Sequence, residues 1–530
     1  MAEVMAAIDV GSYEIAMKIF ELSARKGVRE LDHVRFRLDL GSESYATGRI
    51  SAARISEICR ILTEFKRVMK TWGADKVRVC GTSALRESRN ASVALEQIEK
   101  RTGFTIEILS NSEQRFLDYK AIALKSAVFE KMIEAPTAIV DIGGGSVQIS
   151  LFDRDKLITT QNLRMGVLRL RERVNQMGIG TARYNTLVCE LIQAQLSVFA
   201  RMYLRDKDNI SNMIIVDDYI SPILQKKKTL DEIGLLSDAS RSASGGMVDA
   251  ENFIRFLAAV PTESQIRNAD RLGIPLENLP LVYISGLIIK CIAEMMHTVT
   301  IWAPGVTLCD GITYEYAEKH RILEVRHDFE QDIIASAYHI SQRYKGNRKR
   351  SELIGNLALG VFDSMKKIHG LGKRDRLLLQ IAAILHDCGK YVSMMNIGES
   401  AYAIIMSTEI IGLSHRERQI VAWVVHNIYS AIPDVEDGTR DNGLIDESLR
   451  LRVLKLTAML RVAGGLDRSH LKKFKGAGFK LCDNQLVITA NTEEDITLEK
   501  SLFGRRATFF EEIFGVVPVV RKKTDTVRGQ

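Results

Sequence analysis

Two stretches of this chain set an acid, glycine and a hydroxyl side by side after an apolar run. They are "AAIDVGSYEI" near the N-terminus and "TAIVDIGGGSVQISLFD" at 137–153. The first supplies Asp9, Gly11 and Ser12; the second supplies Asp141, Gly143, Gly144, Gly145 and Ser146. Glycine carries no β-carbon, so its backbone can take positive φ and its N–H can approach a ligand closely. A run of such amides makes a nest for an anion. An acid at the rim would repel a bare phosphate, so acid and nest together point to a bridging divalent cation or to an activated water. Taken alone, the triple glycine is equally a hairpin turn with an acid at the strand end.

The elements that would carry these residues are legible from periodicity. "AIVDIG" and "VQISLFD" read as short buried strands on either side of the turn, and "MAAIDVGSYEIAMKIFEL" repeats the shape. Helices are expected at roughly 51–72, 182–205 and 246–258, and "VRVCGTSALRES" and "TIEILSNSEQRFLDYKAIAL" each read as a strand running into a helix. Strands and helices alternate over about 320 residues, which argues for α/β architecture. Two segments that open alike, 1–132 and 133–322, suggest a duplicated fold with a cleft between the halves. From 323 to 470 the pattern is that of amphipathic helix, and 471–530 reads as a short α+β segment with a hairpin turning at Asp483–Asn484. The end, "KKTDTVRGQ", reads as disordered.

Composition bounds the function. At 46% apolar and 26% charged, the 530 residues are those of a globular protein of two to four domains. No run of eighteen apolar residues occurs and no basic-then-apolar leader is evident, so neither a membrane span nor a secretory signal is expected. Seven dispersed cysteines suit free thiols in a reducing cytoplasm. A net charge of +7 does not indicate specific nucleic-acid binding, yet is compatible with an anionic ligand.

In order along the chain, "AAIDVGSYEIAMKIFE", "VRVCGTSALRESRN", "ILSNSEQRFLDY" and "VDIGGGSVQISLFD" resemble four motifs of the exopolyphosphatase and guanosine-pentaphosphate phosphatase family. "LRMGVLRLRERV" and "ISGLIIKCIAEMM…VTLCDGITYEYA" match weaker family segments. That family belongs to the sugar kinase, actin and heat-shock ATPase superfold, and the likeness runs nearly full length. It implies hydrolysis of a terminal phosphoanhydride of polyphosphate or guanosine pentaphosphate, a Mg2+ or Mn2+ cofactor, and a homodimer. Gly11, Ser12 and Gly143 to Ser146 would cradle phosphate, Arg86 would bind it in a bidentate manner, Asp9 and Asp141 would hold the metal, and a glutamate would be the base.

The chain departs from the family where that base should stand. Gln148 occupies the place of a glutamate two residues after the loop serine. In ungapped register, read from Leu117, Tyr119 and Ile122, Gln114 falls on the base position. A shift of one residue puts Glu113 there and Arg115 on the family's arginine. An amide cannot take a proton as a carboxylate does. Two readings follow. In one, Glu113 is the base, points into the cleft with Arg86 and the two loops, and hydrolysis survives. In the other, the protein binds polyphosphate or guanosine tetraphosphate without turnover. Tyr13 replaces an asparagine, and Asp217–Asp218 replace a glycine-rich turn. A sugar or acetate kinase is disfavoured because "VYISG" is a poor adenosine loop.

The helical remainder resembles the HD-type domain of these proteins. His386–Asp387 is the HD-like pair, Asp467 a candidate last ligand, and Ser351 stands where a first histidine would be. His339, His415 and His426 lie on neighbouring expected helices, and this region should not share the phosphate pocket. Basic runs at 225–228 and 345–350 are candidate tracks for a polyanion, or simply solvated faces.

Overall fold

The computed structural model describes residues 3–523 apart from 155, 179–182, 205–208, 236–244, 261–263, 324–326 and 430–446. The expected disordered end lies outside them from 524 onward. The chain divides into two units, Met1–Asp328 and Phe329–Gln530.

The first unit contains two sheets of one design. In the first, β1 (Glu3–Val10), β2 (Glu14–Ser23) and β3 (Gly27–Arg37) form an antiparallel meander, and β4 (Lys76–Gly81) and β5 (Ile106–Ile108) add in parallel to give the order β3-β2-β1-β4-β5. In the second, β6 (Thr137–Ile142), β7 (Val147–Asp153) and β8 (Lys156–Leu163) form the meander. Beside β6 follow in turn β9 (Asn212–Asp217), β11 (Thr300–Trp302) and, at the edge, β10 (Met247–Asp249). Asp9 and Asp141 therefore hold equivalent places, one residue before the end of each central strand. Asp9 pairs Ala16 on one side and Cys80 on the other, and Asp141 pairs Gln148 and Val216.

Helices cover the sheets. The Ala52–Trp72 helix is capped by Ser51, whose hydroxyl accepts the Arg54 N–H, and it ends at Gly73 with φ 64°. Its buried residues, Ile55, Ile58, Ile61, Leu62, Phe65 and Met69, recur every three or four positions and join the core of the first sheet. The Leu279–Met296 helix is long and apolar enough to cross a membrane by composition, but it is buried on most sides in the core of the second sheet. The "VYISG" stretch lies within it. There Gly286 has its Cα facing Leu257, where a β-carbon would come within 2.6 Å of a leucine methyl.

In the second unit, helices Phe329–Arg343, Arg348–Ser364, Lys373–Leu385, Ile397–Ser407, His415–Asn427 and Glu447–Gly465 precede a three-stranded sheet. That sheet is β12 (Gly478–Cys482), β13 (Gln485–Ala490) and β14 (Val517–Lys522) in this order. The hairpin turns at Asp483–Asn484 as expected, with Cys482 paired to Gln485 and Asp483 at φ 48°.

Candidate active site

The two acid–glycine–serine turns are built alike. Gly11 N–H donates to the Glu14 carbonyl at 3.0 Å, and Gly143 N–H donates to the Ser146 carbonyl at 3.0 Å. Each turn is held by a helix start beyond its own meander: Gly41 N–H donates to the Ser12 carbonyl (2.6 Å) and Leu168 N–H to the Gly144 carbonyl (3.0 Å). None of Gly11, Gly143, Gly144 and Gly145 has positive φ. The glycines supply room instead. A β-carbon on Gly144 would come within 3.1 Å of Ser12 Cβ and 2.9 Å of Leu168 Cδ1, and one on Gly145 would fall on the Tyr45 hydroxyl. The loops of the two halves thus touch, and only residues without side chains fit between them.

Behind that contact Ser12, Ser83 and Tyr45 form a closed triangle of hydroxyls, at 2.7 Å for Ser12–Tyr45, 2.9 Å for Ser12–Ser83 and 2.7 Å for Tyr45–Ser83. In front of it lies a cavity of about 340 Å³ lined by Asp9, Gly11, Ser12, Asp141, Gly143, Gly144, Ser146 and Gln148 from the two strand–turn–strand units. Gln114 and Asp118 close it from the Asn111–Ala123 helix, and Asp217, Asp218 and Tyr219 close it from the end of β9. Gly145 and Arg86 are not among its lining residues.

The cavity is crowded with carboxyls. Burial, then the charges of Asp218, Glu14 and Asp141, push Asp9 well above the usual carboxylate range. Burial and Asp218 push Asp141 up to about 7 against the pull of Arg115. Burial, Asp141, Asp9 and Asp218 push Asp118 well up, and burial with Asp218 takes Glu14 to about 7. The face of the first sheet that carries Asp9 also carries two cations, each paired with an acid. Lys18 Nζ stands 3.0 Å from Glu30 and 2.9 Å from Asp310, and Arg35 lies 3.6 Å from Glu14. Burial and the nearby Lys18 and Arg35 push His33 down to about 4, so it is neutral near pH 7.

The structure separates Glu113 from Gln114. Glu113 Oε2 accepts the Ser110 N–H at 2.9 Å and the Ser110 hydroxyl at 2.7 Å, while Ser110 Oγ accepts the Glu113 N–H at 3.2 Å. This is a reciprocal capping box at the start of the Asn111–Ala123 helix. The carboxylate expected to be the base is spent on its own helix end, and the neighbouring residue, Gln114, faces the cavity. Arg86 is likewise turned aside. Its guanidinium donates to the Leu109 carbonyl at 2.6 Å and to Asn111 Oδ1, and so ties the Ser83–Arg86 turn to that helix start. Thr82 and Ser83, from the same "GTSAL" motif, line the cavity in its place.

Gln148 is buried, and its Oε1 accepts the Arg115 Nε–H at 2.7 Å; Arg115 also donates to Thr160. Tyr13 lines the cavity with its hydroxyl donating to Asn278 Oδ1 at 2.6 Å. Asp217 is structural. Its Oδ1 accepts the N–H groups of Tyr219, Ile220 and Ser221, and its Oδ2 accepts the Ser285 hydroxyl at 2.5 Å. Burial still takes it up to about 6 against those bonds. Sequence reasoning missed Glu14, Tyr45, Thr82, Ser83 and Asp118. For Asp118 a signal existed: it lies four residues after Gln114, on the same helix face.

The second unit holds a different cluster. Asp387 and Asp467 are bridged by one guanidinium, with Arg350 Nη1 2.8 Å from Asp387 Oδ2 and Nε 3.2 Å from Asp467 Oδ2. Lys390 (2.7 Å) and the Tyr429 hydroxyl (2.9 Å) also reach Asp387. Burial alone would raise Asp387, but His386, Lys390 and Arg350 hold it well below the usual range. Burial pushes His386 below its ordinary value. The expected metal set of His386, Asp387 and Asp467 is therefore corrected: an arginine sits between its two carboxylates, and Ser351 donates only to the Ile384 carbonyl, at 3.2 Å. His426 pairs with Glu399 at 3.0 Å, and His415 is the first residue of its helix, near Arg418. The basic run at 345–350 is not one face, since Arg350 is turned inward and Arg348 pairs with Glu352. In the run at 225–228, Gln225 lines the cavity and Lys226 reaches the Gly273 carbonyl at 3.5 Å.

Paired sheets of one order, with two strand–turn–strand loops meeting at a polar cavity, define an actin-like, phosphate-loop fold. The chain belongs to the Ppx/GppA phosphatase family: the family model matches residues 23–320, and the Ppx/GppA phosphatase domain III model matches 334–503. It is similar to a guanosine-5'-triphosphate,3'-diphosphate pyrophosphatase of Photobacterium profundum, at 21% identity over 490 residues and 91% of each chain. A protein of the same name from Aeromonas salmonicida is 23% identical over 428 residues, 80% of each. Among solved structures, an exopolyphosphatase from Cytophaga hutchinsonii shares the fold at a TM-score of 0.51 and 16% identity, over 61% of this chain and 100% of that one.

Proposed function

We propose that this chain is a phosphoanhydride hydrolase that releases terminal phosphate from polyphosphate or from guanosine pentaphosphate in a divalent-cation-dependent reaction. The observation that carries it is the meeting of the Gly11–Ser12 and Gly143–Ser146 loops at one acid-lined cavity. The names of its relatives support the same reaction class.

The cavity fits a hard cation. Its donors are carboxylate oxygens, and Asp9 Oδ1 is buried without a hydrogen-bond partner. Among the described residues no three His, Cys, Asp or Glu side chains form a ready-made ligand set. That suits magnesium, which keeps waters and binds through one or two carboxylates and the substrate's phosphates. Asp9 and Asp141 would hold it; when bound, it supplies charge neutralisation for the anionic substrate. The Gly144 amide and the Ser146 hydroxyl would bind and orient the terminal phosphate, while the Gly11 and Gly143 amides and the Ser12 hydroxyl hold the shape of the two turns. Lys18 and Arg35 line the same cavity and would offset part of the polyanion's charge there. Without a cation the acids would repel this substrate.

A second reading, binding without turnover, is favoured by Gln114 and Gln148, which put amides at both family glutamate positions. Purified protein is incubated with long-chain polyphosphate or guanosine pentaphosphate, and free phosphate is followed with magnesium, with manganese and with chelator. The proposal expects metal-dependent release from at least one substrate. Tight calorimetric binding with no release would transfer the assignment to the binding protein.

A further inference from the structure

We propose that Asp118 is the catalytic carboxylate of this chain, taking over from one helical turn further along the proton-accepting role that Gln114 cannot fill. The inference rests on the hydrolase reading above and names the residue that makes it chemically possible.

The argument starts from the helix. The carboxylates of Asn111–Ala123 are Glu113 and Asp118. Glu113 is consumed by the capping box, with two donors from Ser110 on one oxygen. Residues four apart lie on the same face, about 6 Å along the axis. Gln114 and Asp118 obey that rule, and both line the cavity. Asp118 is 3% exposed, so the side chain opens to the cavity and not to bulk water. It stands close enough to Asp141, the acid near the end of the second half's central strand, for the two charges to act on each other.

Of the other cavity acids, all but Asp218 are placed for other work, and Asp218 lies beyond β9, off the helix that carries Gln114. Asp217 is bound by three N–H groups and Ser285. Glu14 faces Arg35, and Glu30 pairs with Lys18. Asp9 and Asp141 sit on the central strands beside the phosphate loops. The charged groups facing Asp118 are Asp141 from β6, Asp9 from β1, Asp218 beyond β9 and Arg115 on its own helix. Arg115 joins the arrangement by fixing Gln148, so the second amide orients a cation where a glutamate would have added another negative charge.

The step balances without a further reactant. In the ionised form of Asp118, a water held between it and the terminal phosphorus gives one proton to the carboxylate as the water oxygen forms the new P–O bond. The bridging P–O bond breaks and its electron pair leaves on the shortened polyphosphate or guanosine nucleotide. The proton then passes from Asp118 to the released phosphate or to solvent.

The test compares Asp118→Asn, Asp118→Ala and the double variant Gln114→Glu/Asp118→Asn with wild type, using polyphosphate and guanosine pentaphosphate with magnesium. General bases contribute about 10²–10⁴-fold. Asp118→Asn should lose roughly 100-fold or more in kcat, with KM little changed and no recovery as magnesium is raised. Formate should rescue Asp118→Ala in a saturable manner, and the double variant should regain at least about tenfold over Asp118→Asn. Retention of activity within threefold in Asp118→Asn overturns the inference while leaving the hydrolase reading intact. So does recovery on adding magnesium, or a loss that neither formate nor Gln114→Glu reverses. A wild-type protein that releases no phosphate removes the hydrolase reading itself.

Discussion

The carboxyls of the cavity make stability depend on pH and on divalent metal together. Asp141 rises from an ordinary 3.8 to about 7 in the folded chain. Between about pH 4 and pH 7 the folded state therefore holds a proton that the unfolded state has released. Stability falls as pH rises through that window, and the loss is complete above the folded value. About three units at 1.36 kcal/mol each give roughly 4 kcal/mol for this one site; the neighbouring acids titrate with it and do not add independently. A cation bound among ionised acids offsets the loss. At about one hundred times its dissociation constant it contributes about 2.7 kcal/mol, or some 5 °C in the melting temperature of a unit this large. The assay is calorimetric melting at about pH 5 and about pH 8, with magnesium or with chelator. Chelated protein should melt lower at pH 8 than at pH 5, and magnesium should raise the transition at pH 8 by several degrees but by less than about 1 °C at pH 5. Equal magnesium shifts at the two pH values, or none at pH 8, would refute this account of the acid cluster.

Gly166→Ala should abolish phosphate release and lower the melting temperature, because its β-carbon would fall on the backbone of Ser146 and Gly144 and force the second loop apart; activity within threefold of wild type would count against a rigid cradle. Glu113→Gln should keep wild-type turnover and, because an amide oxygen still accepts from Ser110, lose less than about 1 kcal/mol in denaturant titration; a hundredfold drop in turnover would return the base role to Glu113. Arg350→Ala should destabilise the second unit by about 3–5 kcal/mol, because Asp387 and the 1%-exposed Asp467 lose the cation they share. Chemical denaturation of the full chain with Trp72 and Trp302 replaced by Phe, so that Trp423 alone reports on the second unit, reads that loss, and an unchanged midpoint would show the bridge to be dispensable.

Much of the architecture was legible in the sequence, because each signal was local. Strand periodicity around Asp9 and Asp141 showed two like segments, and the turn residues Asp483–Asn484 marked the tail hairpin. The site was less legible, for three physical reasons. Glu113 and Gln114 are adjacent, and which one faces the cavity is set by a capping box whose components were visible as Ser110 and Glu113 but competed with a catalytic reading. Arg86 is a phosphate ligand by type, yet its guanidinium reaches a backbone carbonyl and Asn111 across 23 and 25 residues of sequence, which no local pattern reports. The glycines were expected to supply positive φ; their role is clearance against Ser12, Tyr45 and Leu168, which belong to distant segments. The HD-like pair failed similarly, since Arg350 meets Asp387 and Asp467 only through tertiary packing.

The most direct test of the central claim is a phosphorus NMR time course on medium-chain polyphosphate with this protein and magnesium. The account predicts that orthophosphate grows at the expense of interior phosphate while chain-end intensity stays constant, as removal of one terminal residue at a time requires, and that chelator stops it. Spectra of polyphosphate and of guanosine pentaphosphate both unchanged over hours, or a polyphosphate spectrum in which chain ends multiply through internal cleavage, would contradict it.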